Sequence, residues 1–444
     1  MSWDEVRAQL AHRVDEGILA GVAARVWHRG ALVLSESLGF ADIAEGRRMP
    51  ENGIFQIASM TKPIVSVAAL ELIEEGVLSL DAPVTRWLPE LAELRVLDTP
   101  TGPIDHTHPA PRQITVEDLM THRSGFSYAF DSQGPLGPLM AEALGNVLTD
   151  PASPDEWLRA IGSLPLVRPP GETFVYGHST EVLGVLMARI EGETLGEVLR
   201  RRVLDPLGMD DTDFWVPPAK HDRLAHLYRR EPGGFVDLTA VLPARPRFEA
   251  GGGGLYSAPD DYLRFARLFL GGGEVDGIRL LRPETITAMS TNRLNPDQLT
   301  RPESTMDFFA DRGFGLGLAI VDRPGIPPRV RRARSVGAGC SAPGGRLIPS
   351  TISWRSTSFR TGRHWLPPRV RRGSPRQGRF RPSSNASSMS RLNPTRFRRS
   401  AEFRAGSLHR RSLAFGIAPR IMLGGKRCGH PLFRLAGEGF AWGA

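Results

Sequence analysis

A change in composition near Gly325 divides this 444-residue chain into two parts that cannot share one type of structure. Residues 326–444 hold 24 arginines and one lysine against two acidic residues, a net charge of +23. Residues 1–325 hold 31 basic and 46 acidic residues, a net charge of −15, so the overall +8 describes neither part. The tail shows neither the alternation typical of strands nor the spacing typical of helices. A packed fold is therefore expected within residues 1–325.

Two interpretations of the basic tail stay open. In the first, the reading frame shifts near residues 325–340, so that a G+C-rich gene is read as Arg, Pro, Ser and Gly codons; nucleotide sequencing across this region tests that idea. In the second, residues 326–444 form a genuine disordered, arginine-rich segment that binds nucleic acid through phosphate contacts. Binding that is lost on deleting the tail and weakens steeply with salt would support the second. Nucleic acid is expected as a partner only under that reading.

Taken over all 444 residues, 41% are hydrophobic, as in an ordinary globular protein. The N-terminus shows no apolar run of signal-peptide length, and no apolar stretch is long enough to span a membrane, so we expect a cytoplasmic protein without membrane contact. Cys340 and Cys428 are the only cysteines and cannot build a disulfide framework. His106 and His108 have metal-like spacing, but Ala110 follows where an acid would be needed, so neither metal nor cofactor is expected.

The spacing of apolar residues predicts the main elements of the first part. A hairpin is expected around Arg29 and Gly30, where apolar strands flank a short turn. A mostly buried helix is expected from Met60 to Glu75, because Ile64, Val65, Ala68 and Leu72 repeat at helical spacing and Gly76 provides a stop. Further helices are expected over 3–17, 116–121, 140–148, 180–204 and 262–270, and a strand over 312–321.

A serine and a lysine one helical turn apart form the strongest chemical signal. The segment IASMTKPIVS places Ser59 at the entrance of the predicted helix and Lys62 three residues later on the same face. A serine hydroxyl needs a base to become a nucleophile, and a lysine that burial leaves neutral can act as that base, whereas an arginine cannot. The helix N-terminus adds a positive dipole where an oxyanion would form. Taken alone, such a pair is more often a helix cap and a solvated first-turn lysine than a catalytic pair.

The surrounding sequence resembles the serine β-lactamase-like hydrolases, especially class C β-lactamases and the related family VIII carboxylesterases. The resemblance extends over most of residues 1–325 and rests on the following segments: FQIASMTKPIVSVAALELIEEGVLSLDAPVTRWLPEL, LMTHRSG, PPGETFVYGHSTEVLGVLM and EAGGGGLYSAPDDYLRFARLFL. The first contains the Ser-x-x-Lys motif of the family. The His122 of the second is interpreted as structural.

The resemblance also implies roles for residues outside that first motif. Tyr176 stands in the family's Tyr-x-Asn position and is expected to share protons with Ser59 and Lys62. His178 replaces the asparagine, which favours the esterase branch, and is expected to contact substrate; Gly252 and Gly253 are expected to border the pocket. The last family motif, Lys-Thr-Gly or a Trp-Gly-Gly-type triplet that completes the oxyanion hole, has no match, because no Lys, Trp or acidic residue lies between Arg323 and Arg346.

By this resemblance the fold is α/β (α+β): an antiparallel sheet flanked by helices, with an inserted all-helical domain over roughly 60–240 and an aberrant C-terminal part. The expected activity is hydrolysis of small carboxylic esters through an acyl-enzyme on Ser59, with Lys62 and Tyr176 moving the proton. Two alternatives remain: β-lactamase or D-amino-acid peptidase activity on the same scaffold, and a catalytically impaired protein with a nucleic-acid-binding tail. The α/β-hydrolase elbow Gly-x-Ser-x-Gly is absent. No oligomeric state is predicted.

Overall fold

The computed structural model describes residues 2–146, 152–241, 244–299, 309 and 312–320, together with the backbone of three strands at 335–339, 350–353 and 439–443. The chain divides into two compact units, Met1–Ser358 with Leu435–Ala444, and Phe359–Arg434. The second unit lies outside the described residues. Apart from those three strands, so does the basic tail 326–444, and both interpretations of it stay predictions.

Nine α-helices occur in the described residues. Four of them begin with a capping box, in which a Ser or Thr side chain accepts a hydrogen bond from the backbone N–H three residues later. The acidic side chain of that later residue in turn accepts a hydrogen bond from the backbone N–H of the cap. The capping residues are Ser2, Thr115, Ser153 and Thr194. The helices are α1 (Trp3–Asp15), α2 (Thr61–Glu74), α3 (Val116–Met120), α4 (Leu136–Leu144), α5 (Pro154–Gly162), α6 (Ser179–Glu191), α7 (Leu195–Leu199), α8 (Pro259–Leu270) and α9 (Pro283–Met289). None of those described is long and apolar enough to cross a membrane.

The strands form one large sheet and four small ladders. They are β1 (Gly21–His28), β2 (Ala31–Asp42), β3 (Arg47–Arg48), β4 (Phe55–Gln56), β5 (Arg95–Leu97), β6 (Thr107–Pro109), β7 (Tyr228–Glu231), β8 (Gly234–Asp237), β9 (Tyr256–Ser257), β10 (Glu274–Val275), β11 (Ile278–Arg279), β12 (Gly313–Phe314), β13 (Ala319–Ile320), β14 (Ser335–Gly339), β15 (Ser350–Ser353) and β16 (Gly439–Gly443). The small ladders pair β4 with β9, β5 with β6, β7 with β8 and β10 with β11.

The large sheet has the order β12-β13-β14-β15-β16-β1-β2-β3, and every pair in it is antiparallel. Its long hairpin β1–β2 runs from Gly21 opposite Gly39 to the turn at Arg29 and Gly30, both with positive φ. Helix α1 packs on β2, and α8 packs on β1. The antiparallel sheet with flanking helices that the sequence predicts is therefore present.

Helix α2 lies at the centre of the main core. Eleven of its fourteen residues are buried, so it has no solvent face of the kind an amphipathic surface helix keeps. Helix α6 packs against α2. Strand β4, which precedes α2, pairs with β9, which precedes α8. Because α2 is covered on all sides, a charged residue near its N-terminus sits in dry surroundings.

Three predicted elements differ from the structure, each for a local reason. The helix predicted over 180–204 is two helices, because Gly192 adopts φ +69 at the end of α6 and Thr194 then caps α7. The single strand predicted over 312–321 is the β12–β13 hairpin, with a turn at Gly317, whose φ is +83. The helix predicted over 140–148 is shifted to Leu136–Leu144, and α5 was not predicted.

A buried carboxyl on α2 makes folding stability pH-dependent. Burial raises the pKa of Glu71 to about 8 from the usual 4.5; Arg202, 3.6 Å away, opposes this rise and Glu75 adds to it. The folded state therefore holds a proton that the unfolded state releases, and stability falls as the pH rises from 4.5 to about 8. We expect Glu71→Gln to flatten this fall and to stabilise the protein at the alkaline end, by up to about 5 kcal/mol.

The measurement is the midpoint of thermal unfolding against pH for the parent and Glu71→Gln. Glu75→Gln changes the other carboxyl that binds Arg202, from a half-exposed position; because Glu75 adds only part of the rise, this variant should alter the pH dependence much less than Glu71→Gln. Curves of equal slope for the parent and Glu71→Gln would contradict the assignment.

Candidate active site

Ser59 lies in a 3-10 turn, Ala58–Met60, that leads directly into α2. Ala58 adopts φ +44, a left-handed conformation that costs a residue with a side chain about 1 kcal/mol or more and is typical of functional turns. Neighbouring segments hold the turn: Ile57 N–H donates to the carbonyl of Leu255 at 2.9 Å, and the Tyr262 hydroxyl donates to the carbonyl of Met60 at 2.8 Å. The backbone is therefore fixed on both sides of Ser59.

Lys62 is only 2% exposed and has three oxygen partners. Its Nζ lies 3.1 Å from Ser59 Oγ, 3.1 Å from the Tyr128 hydroxyl oxygen and 2.6 Å from the carbonyl oxygen of Gly252. The Gly252 carbonyl can only accept a hydrogen bond. The Tyr128 hydroxyl donates its own proton to Glu181 at 3.0 Å, so its oxygen can only accept from Lys62.

This set of partners orients the amine toward the serine. A neutral amine has two N–H donors and one lone pair, and the oxygens of Gly252 and Tyr128 occupy both donors. The lone pair then points at Ser59 Oγ, as a base requires. A protonated Lys62 instead donates to all three oxygens. The same heavy-atom positions therefore accommodate the proton on either side of the transfer.

Tyr176 is the second group that contacts the serine. Its hydroxyl donates to Ser59 Oγ at 2.8 Å, and the Lys62 nitrogen lies 4.8 Å above its ring. His122 holds Tyr176 in place: its ring packs on the tyrosine ring at 4.6 Å, its carbonyl accepts from Val175 N–H, and its Nδ1 lies 3.3 Å from Gly177 N–H. Ser59, Lys62 and Tyr176, predicted together, thus form one hydrogen-bonded cluster.

Two residues of this site were missed by the sequence reasoning, Tyr128 and Glu181. Glu181 is 2% exposed, and burial raises the pKa of its carboxyl; His178 and the charge of Lys62 outweigh that effect, so the pKa of Glu181 lies below its usual range. The sequence signal for Glu181 was an acidic residue within the otherwise apolar helix STEVLGVLM. The signal for Tyr128 was the scarcity of tyrosine, since the chain contains only five.

His178 is buried at the start of α6, where it lies beside Tyr128, Trp157 and Glu181. Its ring meets the ring of Tyr128 at 4.5 Å and that of Trp157 at 5.6 Å, and its Nδ1 lies 3.7 Å from Glu181 Oε1, an electrostatic distance rather than a hydrogen bond. Within the described residues its Nδ1 has no hydrogen-bond partner. These contacts place His178 beside Glu181; its predicted contact with substrate stays a prediction.

Gly252 and Gly253 lie next to the cluster on the segment that precedes β9. A Cβ on Gly252 would approach the Glu181 carboxylate to 2.2 Å, so only glycine allows the carbonyl to reach Lys62. A Cβ on Gly253 would meet nothing closer than the backbone of Ala58, at 3.7 Å. Gly253 is partly exposed, so it leaves free space beside the turn that carries Ser59.

Strand β14 packs against the Ser59 turn on a further side. Its backbone pairs with β13 through Val336 opposite Ala319 and with β15 through Val336 opposite Ser353. The arrangement as a whole combines a serine hydroxyl, a buried amine, a phenol and backbone amides within a few ångströms. Such a set can add an oxygen nucleophile to a carbonyl and stabilise the oxyanion that results.

The sequence of the chain is similar to a known protein family and to several of its members. The sequence model of the β-lactamase family matches residues 6–365. Protein Rv1367c of Mycobacterium tuberculosis (strain ATCC 25618 / H37Rv) is 42% identical over 327 residues, which cover 73% of this chain and 80% of that protein. Esterase EstB of Burkholderia gladioli is 34% identical over 283 residues, covering 58% of this chain and 69% of its own length.

Solved structures agree in fold. EstCE1, described as a hydrolase with promiscuous acyltransferase activity, superposes with a TM-score of 0.64 at 21% identity and covers 79% of this chain and 89% of its own. At that identity the similarity concerns the fold alone.

Proposed function

The chain belongs to the β-lactamase family and is a serine hydrolase of that family, and we propose that it cleaves small carboxylic esters through an acyl-enzyme on Ser59. The observation that supports this most directly is that Ser59 Oγ contacts both an amine, at 3.1 Å, and a phenol, at 2.8 Å. A serine in a purely structural turn needs neither. The identity to esterase EstB favours esters over amides as substrates.

In the first half of the reaction Ser59 Oγ attacks the ester carbonyl carbon. Lys62 accepts the serine proton through the lone pair that Gly252 and Tyr128 orient. As the tetrahedral intermediate collapses, the carbon–oxygen bond of the ester breaks and Tyr176 donates a proton to the departing alcohol. The Lys62 proton then returns to Tyr176, whose ring lies 4.8 Å below the lysine nitrogen.

The oxyanion needs two donors at the turn that carries the serine. One is the Ser59 backbone N–H, at the N-terminal end of α2, where the helix dipole favours negative charge. The second is a backbone N–H of β14, the strand packed against this turn. In this proposal the strand position alone supplies the donor, although β14 lacks the family's usual triplet.

The second half repeats the chemistry with water as the nucleophile. Water adds to the acyl carbon and its proton passes to the Lys62–Tyr176 pair; as the bond to Ser59 Oγ breaks, the pair returns that proton to Oγ. The products are a carboxylic acid and the free serine, so the site ends in the protonation state in which it began.

The deciding experiment compares hydrolysis of a p-nitrophenyl short-chain ester with that of a chromogenic cephalosporin. We expect the ester to be cleaved with the larger kcat/KM and a covalent acyl group to appear on Ser59 by intact-mass measurement. Faster turnover of the cephalosporin, or of a D-amino-acid peptide, would instead assign the amide-cleaving alternative.

The two site tyrosines are expected to differ in their effects. Tyr176→Phe removes the proton donor on Ser59 Oγ, so kcat should fall by about 10²- to 10⁴-fold with little change in stability. Tyr128→Phe removes a partner of Lys62 and of buried Glu181, so it should lower kcat less but cost about 1–3 kcal/mol of stability. Steady-state kinetics and denaturant unfolding of both variants test this. The reverse order of kinetic losses would exchange the roles assigned to the two phenols.

A further inference from the structure

Four aromatic rings form a continuous row across the candidate active site. The Tyr128 and Tyr176 rings lie 5.7 Å apart. Phe130 stacks on the outer side of Tyr128 at 5.0 Å with an angle of 17° between the planes, and Phe309 lies 4.7 Å from Tyr176. The inner two rings bear the hydroxyls that contact Lys62 and Ser59, so the outer rings flank the catalytic cluster.

Phe130 differs from the rest of the row because it is 50% exposed. Among the large apolar side chains that the described residues expose it is the one aromatic ring; the others are Leu32, Ile43, Val77, Ile104, Val236, Val241 and Ile278. Phe130 stacks on Tyr128, which is held by hydrogen bonds with Lys62 and Glu181. The backbone of Phe130 itself lies in the 3-10 turn Ala129–Asp131. The exposed face of Phe130 is thus an ordered apolar surface, and burying it under a ligand would release the free energy of removing apolar area from water.

The position of this surface relative to the proton donor indicates which part of an ester it meets. Tyr176 bonds directly to Ser59 Oγ and therefore lies on the side from which the alcohol leaves. Tyr128 bonds to Lys62, which in turn contacts Ser59 Oγ, so the Tyr128–Phe130 stack lies on the lysine side of the serine. Gly253, across the Ser59 turn, leaves space beside the nucleophile.

We propose that Phe130 forms a subsite for an apolar acyl chain, so that the favoured substrates are esters of medium-chain or aryl carboxylic acids. This proposal rests on the function proposed above and names its substrate class. The acyl chain packs on the open face of the Phe130 ring while its carbonyl carbon is bonded to Ser59 Oγ. Each buried methylene contributes at most about fourfold in binding, by the usual gain for burial of apolar surface.

The test measures kcat/KM for two ester series with the parent, Phe130→Ala and Ile278→Ala. The first series varies the acyl group of p-nitrophenyl esters from acetate to hexanoate; the second keeps the acetyl group and varies the aryl alcohol. For the parent we expect about a tenfold rise from acetate to hexanoate, and for Phe130→Ala a loss of about five- to twentyfold on hexanoate with less than a twofold loss on acetate. Ile278, equally exposed on the β10–β11 hairpin, is the matched control and should behave as the parent.

The outcomes separate this inference from the function on which it rests. If acetate is cleaved but the parent shows no preference among acyl chains, or if Phe130→Ala alters only the alcohol series, the subsite is wrong and the esterase proposal stands. If no ester is cleaved by the parent, both fail. Equal losses on acetate and hexanoate would assign Phe130 a structural role and would also overturn the subsite; Phe130→Leu, which keeps an apolar side chain, should retain part of the hexanoate preference.

Discussion

Ser59→Ala is expected to abolish ester hydrolysis, with a fall in kcat of about 10⁴-fold or more, the scale seen when the nucleophile of a serine hydrolase is removed. The oxygen that forms the covalent bond is lost, while Ile57 N–H still donates to the Leu255 carbonyl and the Tyr262 hydroxyl still donates to the Met60 carbonyl. The fold should therefore survive. Steady-state rates and the disappearance of the acyl adduct from the intact-mass spectrum check this prediction.

A matched control is available in the same helix. Ser66 is 1% exposed on α2, one turn beyond Lys62, whereas Ser59 is partly exposed, so Ser66→Ala removes a more deeply buried serine hydroxyl from the helix that follows the Ser59 turn. It should keep activity within a few-fold of the parent. Activity that survives Ser59→Ala would refute the serine mechanism, whereas equal losses in the two variants would indicate damage to α2 rather than loss of a nucleophile.

The parts of the site that could be predicted are those fixed by short-range spacing. Ser59 and Lys62 are three residues apart at a helix entrance, so helix geometry alone brings their side chains together. The neighbouring helix and hairpin followed from periodicity, because α2 and the β1–β2 pair are long and regular. Tyr176 is 117 residues from Ser59 and was predicted only through the family resemblance.

The missed parts depend on tertiary packing. Tyr128 is 66 residues from Lys62, and Glu181 is 53 residues from Tyr128, so no local pattern connects the three. The role of Gly252 changed in a similar way: it was expected to border the pocket, and its carbonyl is the shortest contact of Lys62. The break at Gly192 was missed because helical spacing continues across it, and a left-handed cap outweighed that spacing.

Lys62→Met is expected to lower kcat/KM by about 10²- to 10⁴-fold, since it removes the group that takes the serine proton while keeping an unbranched buried side chain. It also removes one of the two groups, Lys62 and His178, that lower the pKa of buried Glu181, and it takes from the Tyr128 hydroxyl one of its hydrogen-bond partners, which together should destabilise the protein by about 1–3 kcal/mol. Lys62→Arg keeps the charge but cannot accept a proton, so comparable inactivity is expected with less destabilisation. Appreciable activity in Lys62→Arg would show that a fixed positive charge suffices and that Tyr176 is the base.

A double substitution separates the chemical from the structural contribution of this lysine. Lys62→Met with Glu181→Gln removes both buried charges, and the neutral amide can still accept from the Tyr128 hydroxyl. Because part of the stability penalty of the single variant comes from a carboxylate that keeps His178 but loses Lys62, the double variant should recover that part, whereas the lost activity should not return. Denaturant unfolding and steady-state kinetics on the parent, both single variants and the double variant complete the cycle. Recovery of activity together with stability would mean that Lys62 only maintains the structure of the site.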